Sequence, residues 1–282
     1  MRKMIIFLFI ATTLVVGACS QQEPERKPEP MLDNFVFVKG GAFVNKNSNY
    51  YGQNVTLSSF YIGKYEVTQK EWMDVMGSNP SAFKGDDLPV ETVSWYDAVE
   101  YCNKRSIKEG LTPYYHINKN NKDPKNKSET DNLKWTVTII EVANGYRLPT
   151  EAEWQYAAGG GQMSKSYIYS GSDQADDAAW YWKNAGDKIL SGEWNWPVVE
   201  NNHNKTQPIG AKKPNELGLY DMSGNVREWC WNGYGDSDSN SNSTRVVKGG
   251  GWMGDVGELS YLSNFEANGI GPDQGFRVSR GE

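Results

Sequence analysis

Gly218-Leu219-Tyr220-Asp221-Met222-Ser223-Gly224-Asn225-Val226-Arg227-Glu228-Trp229 is the stretch from which the fold is read, in a chain of 282 residues. Ser223, Gly224 and Asn225 are turn-forming residues, so the stretch reads as a turn entering a short strand or helix. Directly after it, Cys230 stands between Trp229 and Trp231, the setting of a thiol packed as a small hydrophobe. Upstream, Thr150-Glu151-Ala152-Glu153 and Thr68-Gln69-Lys70-Glu71 have the spacing of capping boxes, in which hydroxyl and carboxylate each satisfy an orphan backbone N–H. Short amphipathic helices follow both, and Gly159-Gly160-Gly161 ends the second. A third helix runs from Ser94 towards Ile107 with Trp95, Ala98, Val99 and Cys102 on one face. Strand-like stretches occur at Phe35 to Val38, Phe60 to Ile62, Thr136 to Ile140 and Arg245 to Val247. Polar residues from His116 to Asn132 read as an excursion, and the stretches 194–204 and 233–244 as long irregular loops. Helices thus fall in the first half and loops in the second, within one continuous domain over residues 34–282.

Composition narrows the class. Hydrophobic residues make up 38%, aromatic 13% and charged 23%, with 29 Gly and 11 Trp, a globular, loop-rich and aromatic-rich body. The net charge of −6 argues against a general nucleic-acid binder, which would carry a basic patch. Two His and three Cys exclude most metalloenzyme chemistry. The N-terminus is a targeting signal: Arg2 and Lys3, an apolar run from Met4 to Val16, then Val16-Gly17-Ala18-Cys19. That ending resembles the bacterial lipoprotein signal, which implies removal of residues 1–18 and lipidation of Cys19. Residues 19–33, with Pro24, Pro28 and Pro30 among charged and amide side chains, form a solvated tether. The expected place is the bacterial cell envelope, at the outer membrane or cell surface. Cys102 and Cys230 are then read as buried structural thiols, with a disulfide as the alternative.

The blocks Phe37 to Phe43, Tyr65 to Thr68, Pro89-Val90 with Val93-Ser94-Trp95, Tyr146 to Trp154, Gly218 to Trp229, Lys248 to Trp252 and Gly275-Phe276-Arg277 resemble, in this order, the formylglycine-generating-enzyme or sulfatase-modifying-factor family. The resemblance implies an α/β fold of the C-type lectin-like kind, with little regular secondary structure and large loops. It also implies a test of the chemistry. Oxidases of the family hold copper on two cysteines shortly after the Gly-Gly-Ser-Trp-like block, because Cu(I) wants soft thiolates. The matching positions here are Gly254 and Leu259, and no Cys follows Cys230, so copper chemistry is not expected. The related iron enzymes need three histidines, and this chain has His116 and His203 alone.

Calcium is the metal that the resemblance does imply. Carried over by position, Asp221 and Glu228 would give side-chain oxygens and Gly224 and Val226 backbone oxygens, a donor set suited to a hard cation. A second set maps to Asn184, Ala185, Asn201 and His203. The region 252–277 takes the place of the family's active site. Its Trp252, Met253, Asp255, Glu258, Tyr261, Asn264, Phe265, Glu266, Asn268 and Asp273 make a mixed polar and aromatic surface of the adaptable binding type. This segment, ahead of Gly275-Phe276-Arg277-Val278, resembles the variable region of diversity-generating retroelement target proteins. The expectation is therefore a non-enzymatic, lipid-anchored protein that binds a protein or glycan ligand through this face. The alternatives are an accessory or structural lipoprotein of a periplasmic membrane complex and, last, a formylglycine-generating oxidase.

Overall fold

The computed structural model describes residues 33–45, 53–234, 243–254 and 256–282. Cys19, the tether, Asp255 and most of the loop after Gly233 lie outside the described residues, and residues 32–282 fold as one unit. In chain order the strands and helices are β1 (Phe35–Val38), β2 (Gly41–Asn45), β3 (Gln53–Leu57), β4 (Phe60–Gly63), α1 (Gln69–Met76), α2 (Trp95–Lys108), β5 (Tyr115–Lys122), β6 (Trp135–Ile139), α3 (Glu151–Ala158), α4 (Ala175–Ala178), β7 (Ala179–Trp180), α5 (Trp196–Asn201), β8 (Ser223–Gly224), β9 (Arg227–Gly233), β10 (Thr244–Lys248), β11 (Ser263–Glu266), β12 (Gln274–Gly275) and β13 (Ser279–Gly281). The result is an α/β fold with few helices, short strands and long loops, as expected.

The three helices read from capping chemistry are present. Thr68 accepts the Glu71 N–H at 3.1 Å while the Glu71 carboxylate takes the Thr68 N–H at 3.0 Å. Ser94 with Asp97 and Thr150 with Glu153 close the same reciprocal pair at α2 and α3. The main sheet has the order β11-β10-β9-β12, antiparallel except for the β9–β12 pair. A second sheet, β1-β4-β13, brings both ends of the described domain together.

The tryptophans on β9 explain how the body is filled. Strand alternation sends Trp229 and Trp231 into the core beneath α2, with Trp95, Tyr101, Cys102 and Phe276, and sends Cys230 to the opposite core with Trp154, Met222 and Val246. A third apolar cluster joins Trp182, Ala185, Leu190 and Val199 to Trp252. Both described cysteines are free and fully buried, and burial pushes both thiols up. They pack as the small hydrophobes expected.

Two segments differ from the reading of the sequence. Residues 115–122 are a strand, not an excursion: β5 pairs with β6 through Ile117↔Val137 and Asn118↔Thr136. Its polar residues face solvent, so alternation with an apolar partner was hidden in an Asn/Lys-rich run. The stretch 194–204 contains α5, which begins with Pro197 in its first turn, where the missing N–H has no helical partner to lose.

Candidate functional site

Beneath the loops lies a fully buried group of charges. Arg277 donates from Nε to Glu228 Oε2 at 2.6 Å and from Nη2 to Oε1 at 2.7 Å, and Trp154 Nε1 donates to the same Oε2 at 2.7 Å. Glu66 accepts from Asn225 Nδ2 at 2.7 Å and from the Val226 N–H at 3.0 Å. Burial, with Asp221 and Glu228 adding to it, pushes the Glu66 carboxyl well up. Asp221 accepts the Gly210 N–H on Oδ2 at 2.7 Å and leaves Oδ1 buried without a partner. Burial pushes its carboxyl up to about 6.

Of the four positions read for calcium, Glu228 is the one whose oxygens are already taken. Glu228 spends both oxygens on a guanidinium and an indole, so the cation facing it is Arg277. The Gly224 N–H donates to the Gly249 carbonyl at 2.7 Å and the Val226 N–H to Glu66 Oε1 at 3.0 Å, while Asp221 Oδ1 keeps no protein partner. The second set is committed likewise. Asn184 Oδ1 accepts the Tyr181 N–H at 2.9 Å, and the Ala185 carbonyl accepts from Lys205 N at 3.1 Å and Gln207 Nε2 at 2.9 Å. Asn201 is exposed, and His203 Nδ1 lies 2.6 Å from Asp187 Oδ2. Side-chain amides brace the loop instead: Asn204 Nδ2 donates to the Trp182 carbonyl at 2.7 Å and Asn202 Nδ2 to the Lys188 carbonyl at 2.9 Å.

The C-terminal face is organised by Arg227, a residue that the reading of the sequence passed over. Its Nε donates to the Tyr261 hydroxyl at 3.1 Å, Nη1 pairs with Asp273 Oδ2 at 2.9 Å, and the guanidinium lies 5.4 Å from the Phe265 ring centre. The Arg227 N–H also donates to the Asp273 carbonyl at 2.7 Å. Held from three sides, the side chain stays 18% exposed. A Cβ at Gly254 would sit 3.3 Å from Arg227 Nη2. Arg227 therefore stands over one of the two positions that match the oxidase cysteines. The other, Leu259, packs against the core and donates its N–H to the Ile168 carbonyl.

Among the residues expected on this face, Met253, Tyr261, Asn264, Phe265, Glu266 and Asn268 are half-buried and Glu258 is exposed. Asn264, Phe265 and Glu266 lie on β11, and Asn268 Nδ2 donates to the Thr130 carbonyl at 3.1 Å. Trp252 and Asp273 are corrections: 3% and 2% exposed, they are scaffold. Trp252 Nε1 donates to the Pro272 carbonyl at 2.8 Å, and its ring meets Phe83 edge-on at 5.4 Å. Asp273 is consumed by Arg227. One further element abuts the face: Trp194 Nε1 donates to the Met253 carbonyl at 2.8 Å, and Trp196 lies 6.3 Å from Trp252.

Residues 20–281 match the sulfatase-modifying factor enzyme 1-like domain. The chain belongs to this family. Within it, the chaperone protein LppX of Paenibacillus barcinonensis is 60% identical over 282 residues, 99% of each chain. Among solved structures, Treponema denticola variable protein 1 superposes with a TM-score of 0.70 at 31% identity, over 88% of this chain and 95% of that one. CarF follows with a TM-score of 0.65 at 30% identity, over 88% and 98%. The sulfatase-modifying factor enzyme 1-like fold is thus shared nearly end to end, in its formylglycine-generating-enzyme, C-type lectin-like form.

Proposed function

We propose that this chain is a non-enzymatic binding protein of the bacterial cell envelope, held to a membrane through lipidated Cys19, that grips a partner protein with the face around Arg227. The observation that carries the reading is the placement of Arg227. Where the family's oxidases bind copper, this chain has a glycine under a fixed, partly exposed guanidinium, ringed by Tyr261 and Phe265. Arginine and tyrosine in a preorganised setting are the residue types that dominate protein interfaces. No thiolate is offered to a substrate: Cys102 and Cys230 are sealed in the core with raised pKa. A relative named as a chaperone, alike over the whole chain, supports a protein as partner. Likeness to a protein named as variable supports residues 253–268 as the surface on which specificity is written.

The test is site-specific photo-crosslinking in the native cell from position 264, with position 119 on β5 as control. One discrete protein adduct at 264, absent at 119 and at least about tenfold weaker with Arg227→Ala, is the expected result. An adduct indifferent to Arg227→Ala would move the interface elsewhere. Thiol-dependent oxygen consumption by the purified chain would return it to the oxidases.

A further inference from the structure

The segment 191–198 is exposed at every residue, although two of the eight are tryptophans. Trp194 is 51% and Trp196 37% exposed. Neither is a loose side chain. The Trp194 N–H is spent on the Met253 carbonyl, which fixes the edge of that ring, and Trp196 leans on the buried Trp252. The base of the loop is clamped as well, since Asp187 N–H donates to the Asn202 carbonyl and Leu190 N–H to the Lys183 carbonyl. Between the indoles Asn195 is extended, at φ −149° and ψ 115°, Trp196 opens α5, and the two side chains meet the neighbouring residues Met253 and Trp252. Two exposed rings are thus each fixed to the body beforehand, which spares the ordering cost that a free loop would meet on binding.

Charge excludes anionic ligands from the platform. Ionisable side chains from 187 to 200 are Asp187, Lys188, Glu193 and Glu200, an acid excess on a chain of net charge −6. An anionic lipid surface or a nucleic acid would be repelled. A neutral ligand with weakly positive C–H faces would be attracted to the negative faces of the indoles. Its hydroxyls would find acceptors in Glu193 and Asn195, both exposed beside the rings. We infer that Trp194 and Trp196 form a binding platform for a neutral saccharide chain, a second site that borders the face around Arg227 at Met253.

The full chain in detergent is titrated with two uncharged probes, the N-acetylglucosamine hexasaccharide linked β-1,4 and the glucose hexasaccharide linked α-1,4, following tryptophan fluorescence. Saturable quenching by either probe is expected, with Trp194→Ala or Trp196→Ala weakening it about tenfold and Trp194→Phe weakening it less. Lys119→Ala, on β5, should leave it unchanged. Absence of saturation with both probes would overturn the proposal. So would quenching indifferent to both alanine variants, or loss of the position-264 protein adduct in Trp194→Ala without any saccharide response.

Discussion

Asp221 is held in the folded chain with one oxygen on the Gly210 N–H, the other without a partner, and its carboxyl pushed up to about 6 by burial. In the unfolded chain the same carboxyl titrates near 3.9. Between those values the folded state binds the extra proton, so stability falls as pH rises from about 4 to 6 and is flat above that on account of this group. An amide in its place keeps an oxygen for Gly210 and has nothing to ionise. Asp221→Asn is therefore expected to flatten the stability profile between pH 4 and 7. It should also gain up to about 2 kcal/mol at neutral pH, read from urea melts at pH 4.5 and 7.5. A profile steeper than the parent's would mean that the ionised carboxylate holds the loop. Arg277 and Glu228, by contrast, neutralise one another at 2.6 Å and with no exposure, the arrangement that justifies burying a charge.

At the scale of elements, what was legible followed from local chemistry. Thr68, Ser94 and Thr150 announced α1, α2 and α3 because a cap is written within four residues. The β5–β6 hairpin was not legible, since its register depends on a partner thirteen or more residues away and its outward side chains are Asn and Lys. Arg227 was hidden for a similar reason. Its neighbours Tyr261, Phe265 and Asp273 come together only once β9, β11 and β12 share a sheet. The turn at Gly224 is the joint on which this assembly depends. At φ 83° its backbone occupies the left-handed region, and a Cβ would lie 2.2 Å from the Trp180 carbonyl oxygen. Gly224→Ala is expected to part β7 from β8 and to cost at least about 2 kcal/mol, with amide exchange accelerating first at Asn225 and Trp252. Faster exchange spread evenly over α2 and α3 instead would show that the turn is not a separate joint.

For the molecule as a whole, the question is what braces so much irregular chain. Strands of two to eight residues and, among the described residues, a single helix longer than eight residues cannot do it alone. The structure answers with side chains: Asn184, Asn202, Asn204, Gln207 and Asn225 satisfy backbone groups across the third apolar cluster, and Arg277 ties Glu228 to the Gly63 carbonyl at 3.0 Å. Each such bond contributes about 1 kcal/mol net, and more where a buried group would otherwise be orphaned. A fold braced in this way is expected to stand without a cation or a disulfide. Melting in a chelator, and separately in a reductant, should therefore reproduce the melting temperature in buffer within about 1 °C. A cation bound at a hundred times its dissociation constant would instead add about 2.7 kcal/mol, several degrees for a domain of this size. A fall of that size in chelator, reversed by calcium alone, would show that Asp221 or Asn184 exchanges its protein donors for the ion. An unchanged melt would leave the asparagines and Arg277 as the framework that carries both the Arg227 face and the Trp194 loop.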